Sequence, residues 1–371
     1  MNASTPTTRP QAADDPAAPA PKPLLLTMGD PAGIGPEIIA RAVLEQPETL
    51  RGVVVVGDAA VMRRAMALVV AEGVSLPLAV GTTLAEAAQA TALPRCMALW
   101  QAVAPMTPPS FGRIDARAGA AAAACVIAAA RAALQGQASG IVTAPLHKEA
   151  LAAAGHEHPG HTELLQSLAA AHLGLPLAQL PVRMMLASDD LRTVLVSIHL
   201  SLRDALQAVS EESVLQTLRI THASLSRMLG RAPRIAVAGL NPHAGEGGRF
   251  GREEIEVIAP AIARARQQGI DALGPFAPDT VFMRARETSG RPGGIDAVIA
   301  MYHDQGLIPV KYLGVEHAVN VTLGLPLVRT SPDHGTAFDI AGTGRADPAS
   351  LLRAVRLART LEAGGRWEHD L

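Results

Sequence analysis

The sequence predicts an α/β fold in which helices cover both faces of a mostly parallel sheet. Short, continuous apolar runs recur along the chain, as at residues 24–28 and 53–56, and such runs are typical of buried parallel strands. Segments with helical periodicity separate most of these runs. The 371 residues are also enough for one large or two medium α/β domains with an ample core.

The composition argues against several classes of function. The chain has 32 basic and 34 acidic residues, so its charge balance does not indicate a nucleic-acid or membrane partner. Aromatic residues are 2% of the chain, too few for base-stacking platforms. Cys96 and Cys125 cannot form a disulfide framework, which fits a cytoplasmic protein. The most apolar run, residues 118–130, is shorter than a bilayer span and predicts a buried helix.

The ordered part of the chain is predicted to begin at residue 24. Residues 1–23 are rich in Pro, Ala and Thr and lack apolar periodicity, which predicts a disordered extension. A strand at 24–28 then leads through Gly29-Asp-Pro-Ala-Gly-Ile-Gly-Pro-Glu37 into a helix over 38–44. These glycines permit either close approach to a ligand or a tight strand-to-helix turn, and both interpretations stay open. Their spacing is not that of the dinucleotide fingerprint.

Alternating strands and helices continue to residue 144. A strand at 53–56 precedes a helix at 59–70, and a weaker strand and helix occupy 76–92. An Ala-rich helix is predicted over 114–134 and a strand over 139–144. The chain then reaches His147 and Lys148, at the strand end where open α/β sheets bind ligands. A surface pair at a helix start is the alternative.

Histidines form the second group of candidate residues. Three of them follow a strand or a glycine turn and lie far apart in sequence, namely His161, His199 and His303. A set of three histidines with open positions is a plausible catalytic metal site. Sequence spacing alone does not show that they converge.

The remaining segments continue the alternating pattern. Helices are predicted over 211–229, 253–266 and 350–361, and strands over 182–186, 193–198, 235–239, 297–301, 319–323 and 327–331. Lys311, Asn320 and Arg329 fall at strand ends or in loops, where such groups suit an anionic substrate or are ordinary surface residues. The chain has no Walker-type phosphate loop and no Gly-x-Ser-x-Gly elbow, which argues against a nucleotide kinase and an ordinary serine hydrolase.

Seven segments resemble one enzyme family and occur in its order. They begin at Gly29, Pro145, Gly160, Gly239, Met301, Val319 and Arg329, and include Pro-Leu-His-Lys, Gly-His-Thr-Glu and Met-Tyr-His-Asp-Gln-Gly. From about residue 24 to the final helix, the chain resembles the 4-hydroxythreonine-4-phosphate dehydrogenase family of pyridoxal phosphate biosynthesis.

The resemblance implies an isocitrate/isopropylmalate dehydrogenase-like fold with two α/β/α domains and a cleft between them. Residues 24–143 and 296–371 would form the first domain, on the NAD side, and residues 144–295 the second, on the metal and dimer side. It also implies a homodimer whose active site is completed by the partner chain. The implied cofactors are NAD or NADP and one divalent metal ion per subunit, which is zinc, magnesium or cobalt.

The resemblance implies roles for individual residues. The metal ligands would be His161, His199 and His303. The substrate would contact His147, Lys148, Lys311, Asn320 and Arg329. The loop that holds the adenosine part of NAD would contain His334, Gly335, Thr336, Asp339 and Gly342. The candidates for the general base are Lys148, Lys311 and Asp304.

The implied reaction is oxidation of 4-(phosphooxy)-L-threonine at C3, followed by decarboxylation to 3-amino-2-oxopropyl phosphate. The chain departs from many family members at Asp30, where they have Glu, and at residues 158–159, where they have Phe-Thr. Both departures occur in related dehydrogenases, so 4-phospho-D-threonate or 4-phospho-D-erythronate is the alternative substrate. A non-catalytic protein that binds metal and phosphate, or an acyl- or phosphotransferase, is the alternative of another class.

Overall fold

The computed structural model describes residues 21–71, 74–158, 160–314 and 318–363. Of the predicted N-terminal extension, residues 1–20 lie outside the described residues, as does Pro159.

Helices and strands alternate along the described part of the chain. Its strands are β1 (Leu24–Thr27), β2 (Val53–Gly57), β3 (Leu78–Gly81), β4 (Met97–Gln101), β5 (Gly140–Thr143), β6 (Arg183–Ala187), β7 (Arg192–Leu195), β8 (Arg234–Ala238), β9 (Asp271–Phe276), β10 (Ala297–Ala300), β11 (Val319–Leu323) and β12 (Val328–Pro332). Its α-helices are α1 (Gly35–Glu45), α2 (Ala59–Val69), α3 (Leu84–Gln89), α4 (Ala116–Leu134), α5 (Lys148–Ala153), α6 (His161–Leu173), α7 (Leu202–Ala208), α8 (Glu211–Leu229), α9 (Ala259–Gln267), α10 (Pro278–Thr288), α11 (His303–Tyr312) and α12 (Ala349–Ala363).

The strands form one sheet in the order β3-β4-β2-β1-β5-β12-β11-β6-β7-β10-β8-β9. All pairings are parallel except three consecutive ones in the middle, β12 with β11, β11 with β6, and β6 with β7. Three successive reversals make the parallel strands of the two halves run in opposite directions. The carboxyl ends of β5 and β12 therefore lie at one edge of the sheet, and those of β7 and β10 at the other.

The predicted α/β class is confirmed, and most predicted elements are present. The prediction missed β4, β9 and α10. It also left residues 303–312 unassigned, although they form α11. This helix contains Gly306 and Pro309, two poor helix formers, so its local sequence does not indicate a helix.

Strand β10 bears on the predicted division into domains. It begins at Ala297, in the stretch that the prediction assigns to the first domain, but it pairs with β7 and β8. The division remains a prediction, and these pairings favour counting β10 and α11 with residues 144–295.

Helix α4 is the predicted buried helix. By length and composition alone it could cross a membrane, but 56% of its most apolar window is buried inside the fold, as in the core helix of a folded domain. Its Gly119 lies against the backbone of α5, because a Cβ atom at this position would come 2.0 Å from the carbonyl oxygen of Ala150. Contact between α4 and α5 thus sets the position of α5, which begins at Lys148.

We expect Gly119→Ala to destabilise the protein, since the added methyl group must displace α5. Overpacking of this kind costs about 1–3 kcal/mol. Urea unfolding followed by circular dichroism should show a lower midpoint than for the unsubstituted protein. Ala120→Ser, at an exposed position of the same helix, should change the free energy of unfolding by no more than about 0.5 kcal/mol. A Gly119→Ala protein as stable as this control would contradict the close packing of the two helices.

Candidate active site

A cavity of about 600 Å³ lies over the central antiparallel strands, where the two halves of the sheet meet. Residues that follow β5 and β12 contribute to its wall, and so do residues that follow β7 and β10. The predicted site residues that line it are Lys148, His161, His199, His303, Lys311, Asn320, Arg329, His334 and Gly335.

Helix α11 crosses the cavity from one edge of the sheet toward the other and contributes a residue to it near each of its two ends. It begins with His303 beyond the carboxyl end of β10 and places Lys311 near its other end. Its ten residues span about 15 Å. Gly306 lets it approach the sheet, because a Cβ atom there would lie 2.5 Å from Leu195 and 2.7 Å from Thr193.

Gln305 fixes the start of α11. Its side-chain oxygen accepts a hydrogen bond from the backbone N–H of Met301 at 2.7 Å, and its amide nitrogen donates to the carbonyl oxygen of Gly239 at 2.8 Å. The ends of β10 and β8 are thereby joined beside His303. The Nδ1 atom of His303 lies 2.7 Å from Oδ1 of Asp304. A carboxylate in this position orients the ring and leaves Nε2 available as a ligand.

Asp304 itself does not line the main cavity. It belongs to the wall of a second cavity, which it shares with Tyr302, Gln305 and Met283. Its side chain is 73% exposed. This position argues for Asp304 as an orienting partner of His303 rather than as the general base.

The electrostatics of His161 and His199 suit metal ligands. The Nε2 atom of His161 is buried and has no hydrogen-bond partner. Burial, together with the charge of Arg329, holds the pKa of His161 well below its usual value. Burial also lowers the pKa of His199, with smaller contributions from Lys148 and His303. Neutral imidazole is the form that binds metal ions.

The type of these residues fits a divalent metal ion, but the described residues of one chain do not assemble a complete site. The rings of His199 and His303 have centroids 5.9 Å apart. Within the described ranges, no group of three His, Cys, Asp or Glu side chains is arranged to hold a metal ion. The unpaired Nε2 of His161 and the carboxylate behind His303 are the features that favour a metal.

Arg329 is a buried cation that faces the cavity. It is 4% exposed, and its guanidinium donates to the hydroxyl groups of Thr322 at 3.0 Å and Thr143 at 2.8 Å rather than to carboxylates. Its Nε atom has no partner. Burial lowers the pKa of Arg329 to about 10, against the opposite effect of Glu163. A desolvated cation held only by hydroxyl groups attracts an anionic ligand strongly.

Two acidic residues of the cavity were not predicted as site residues. Asp333 Oδ2 lies 2.9 Å from Nζ of Lys311, and its side chain is 9% exposed. Glu163, in the first turn of α6, also lines the cavity. Both could have been found from sequence, since Asp333 follows β12 directly and Glu163 lies two residues after His161.

The predicted substrate residue His147 lies beside the cavity, whereas its neighbours Leu146 and Lys148 line it. Its ring stacks on Phe338, with centroids 4.5 Å apart and an angle of 19° between the planes. Its Nδ1 atom is buried without a hydrogen-bond partner.

The predicted adenosine loop is held against the segment that follows β1. The backbone carbonyl of Thr336 accepts a hydrogen bond from Ile34, and the backbone N–H of Gly342 donates to Glu37. Gly33 permits this contact, because a Cβ atom there would lie 2.9 Å from Thr336. The close approach permitted by this glycine is therefore to the protein itself. The carboxylate of Asp339 is exposed to solvent.

The chain is similar to known dehydrogenases over most of its length. The family model described as "Pyridoxal phosphate biosynthetic protein PdxA" matches residues 49–358. A 4-hydroxythreonine-4-phosphate dehydrogenase from Beijerinckia indica is 52% identical and covers 92% of this chain and 95% of its own. A D-threonate 4-phosphate dehydrogenase from Salmonella typhimurium is 43% identical and covers 92% and 99%.

A solved structure supports the same relationship. The 4-hydroxythreonine-4-phosphate dehydrogenase from Klebsiella pneumoniae superimposes with a TM-score of 0.79 at 40% identity, over 92% of this chain and 99% of that one. Relatives this similar are dehydrogenases, so this chain is a dehydrogenase that works with a nucleotide cofactor. The predicted resemblance is confirmed, and the chain belongs to the PdxA family of pyridoxal phosphate biosynthetic proteins.

Proposed function

We propose that the chain oxidises 4-(phosphooxy)-L-threonine at C3 with NAD and a divalent metal ion. The oxidation would reduce NAD to NADH and release a proton, and decarboxylation of the resulting β-keto acid would then give 3-amino-2-oxopropyl phosphate and CO₂. The names of the most similar relatives support this substrate. The observation that carries the proposal is the buried, carboxylate-free guanidinium of Arg329 in a cavity that also contains Lys148 and Lys311. The three cations suit a ligand with both a phosphate and a carboxylate.

The alternative substrate is 4-phospho-D-threonate. A D-threonate 4-phosphate dehydrogenase is 43% identical over 92% of the chain. The family resemblance also links the departures at Asp30 and at residues 158–159 with dehydrogenases of phosphorylated threonate or erythronate. The two substrates differ at C2, where one has an ammonium group and the other a hydroxyl. Glu163 and Asp333 are the carboxylates of the cavity that could pair with an ammonium group.

Polar and charged residues of the cavity have the following roles in this proposal. Arg329, Lys148 and Asn320 bind the anionic groups of the substrate. Lys311 is the candidate general base in its neutral amine form, and the carboxylate of Asp333, 2.9 Å from Nζ, would keep this amine in a fixed place. Lys148 is the other candidate, because it begins α5 at the cavity wall.

A metal ion would be held by His161, His199 and His303. When bound, it would supply a positive charge that stabilises negative charge on the C3 oxygen during both oxidation and decarboxylation. We further propose a homodimer in which His303 completes the site of the neighbouring subunit. The incomplete ligand group within the described part of one chain supports this arrangement.

The nucleotide cofactor would bind at the loop from His334 to Gly342. His334 and Gly335 line the cavity, so this loop reaches the substrate site. The exposed carboxylate of Asp339 suits a ribose hydroxyl and would repel a 2′-phosphate, which favours NAD over NADP. The balanced charge and the two cysteines fit a cytoplasmic location.

A panel of substrates tests the proposed function. The protein should be incubated with NAD, with Zn²⁺, Mg²⁺ or Co²⁺, and with each of 4-(phosphooxy)-L-threonine, 4-phospho-D-threonate and 4-phospho-D-erythronate. We expect NADH absorbance to rise fastest with the first substrate. A higher kcat/KM for either sugar-acid phosphate would identify that compound as the substrate in place of 4-(phosphooxy)-L-threonine. If no NADH forms with any of the three compounds, the proposal is refuted.

Substitution of Arg329 tests the anion site. Loss of a charged hydrogen-bonding group costs about 1.5–3 kcal/mol, so Arg329→Gln should raise KM by about ten- to a hundredfold. Arg183→Gln is the matched control, because the Arg183 guanidinium also bonds to side-chain oxygens, of Thr217 and Gln216, but lies outside the cavity wall. An unchanged KM for Arg329→Gln would remove Arg329 from the substrate site.

Subunit mixing tests the shared metal site. His161→Ala and His303→Ala should each be folded dimers that bind little metal and form no NADH. If His303 serves the neighbouring subunit, a mixed dimer of the two variants retains one intact site. After random mixing of equal amounts, about half of the dimers are mixed and each has one intact site of two. The mixture should therefore show about a quarter of the metal content and activity of the unsubstituted protein. No recovery after mixing, with mixed dimers shown by native mass spectrometry, would place His303 in its own subunit's site.

A further inference from the structure

Asp30 is a buried carboxylate with one unpaired oxygen. It lies in the turn between β1 and α1 and is 0% exposed. Its Oδ1 atom accepts a hydrogen bond from the backbone N–H of Ala32 at 2.8 Å, whereas its Oδ2 atom has no hydrogen-bond partner. A buried polar atom without a partner destabilises the folded protein, so a hydrogen-bond donor for this oxygen is expected nearby.

The turn that carries Asp30 packs tightly on the segment that carries His147. Strands β1 and β5 are parallel neighbours, and the backbone N–H of Asp30 donates to the carbonyl oxygen of Pro145 at 2.9 Å. Gly29 permits this contact, because a Cβ atom there would lie 2.4 Å from the same oxygen. The positions of Asp30 and His147 are therefore fixed relative to each other by backbone packing.

Both side chains have an unsatisfied buried atom, Oδ2 of Asp30 and Nδ1 of His147. Their charges interact. Burial raises the pKa of Asp30, the backbone N–H groups of Ala32 and His147 and the charge of His147 lower it, and the charge of Asp115 raises it further. Phe338 stacks on the imidazole of His147 and restricts the tilt of the ring. A hydrogen-bond partner at Nδ1 would also fix the rotation of the ring within its own plane.

We propose that Asp30 is a positioning residue for His147. Its Oδ2 atom accepts a hydrogen bond from Nδ1–H of His147, directly or through one water molecule. This bond keeps the proton of the neutral ring on Nδ1, so that Nε2 can accept a hydrogen bond from a hydroxyl group of the substrate. The role in turnover rests on the proposed function, whereas the tautomer of His147 does not depend on it.

Nitrogen NMR of the full-length protein labelled with ¹⁵N-histidine tests this bond directly. The His147 signals are identified by their loss in His147→Gln. We expect the Nδ1–H tautomer in the unsubstituted protein at a pH where the ring is neutral. The Nε2–H tautomer there would overturn the proposal without any variant.

Asp30→Asn inverts the hydrogen-bonding pattern. Its side-chain oxygen can still accept from Ala32, which places the NH₂ group where Oδ2 was. A donor in that position requires Nδ1 to become an acceptor, so we expect the proton of His147 to move to Nε2 and kcat/KM to fall at least tenfold. Asp30→Glu keeps an acceptor and should retain the Nδ1–H tautomer, which serves as the test if Asp30→Asn does not fold.

Asp296→Asn is the matched control. Asp296 is also buried, but both of its oxygens are paired, with the Arg231 guanidinium and with the backbone N–H of Arg234, and it lies before β10 at the far end from His303. This variant should keep both the tautomer and kcat/KM. An unchanged His147 tautomer in Asp30→Asn would overturn the hydrogen bond, and an inverted tautomer with unchanged kcat/KM would overturn the positioning role. If no substrate is turned over, the proposed function fails while the NMR result still decides the bond.

Discussion

The reversal of strand direction at the middle of the sheet is the constraint on which the site depends. Three consecutive antiparallel pairings make the two parallel halves run in opposite directions, so the polar segments that follow their strands begin at opposite edges. A site built only from strand ends at one edge could not contain both sets of residues. The cavity instead lies over the central strands, and α11 extends from His303 at one side to Lys311 at the other.

Electrostatics then decide what this cavity can bind. Arg329 is buried among hydroxyl groups, while Lys311 is paired with Asp333. The first arrangement leaves a positive charge for an anionic ligand, whereas in the second a carboxylate lies beside the cation and restricts its position. Burial lowers the pKa of His161 and of His199, with a smaller contribution from Arg329 at His161 and from Lys148 at His199, and the neutral imidazole that this favours suits metal binding. In the proposed function, Arg329 and Lys148 would therefore both bind the substrate and favour the neutral form of the proposed metal ligands.

Local sequence patterns predicted the alternating elements because buried parallel strands are short, continuous apolar runs. They failed where the local pattern and the tertiary environment disagree. Helix α11 contains Gly306, which would weaken an isolated helix, yet this glycine is what allows the helix to lie against Leu195 and Thr193. The prediction also missed β9, which begins at the exposed Asp271 and contains Gly274 and Pro275, and so lacks a continuous apolar run.

The sequence by itself determined the fold class, the family and the residue types of the site, because these follow from local apolar patterns and from motifs that lie together in the chain. Tertiary structure decided the partners of those residues. It paired Lys311 with Asp333, directed Asp304 to a second cavity and brought the turn of Asp30 against the segment of His147. Such contacts join residues far apart in sequence, and they depend on strand order and strand direction, which no local pattern encodes.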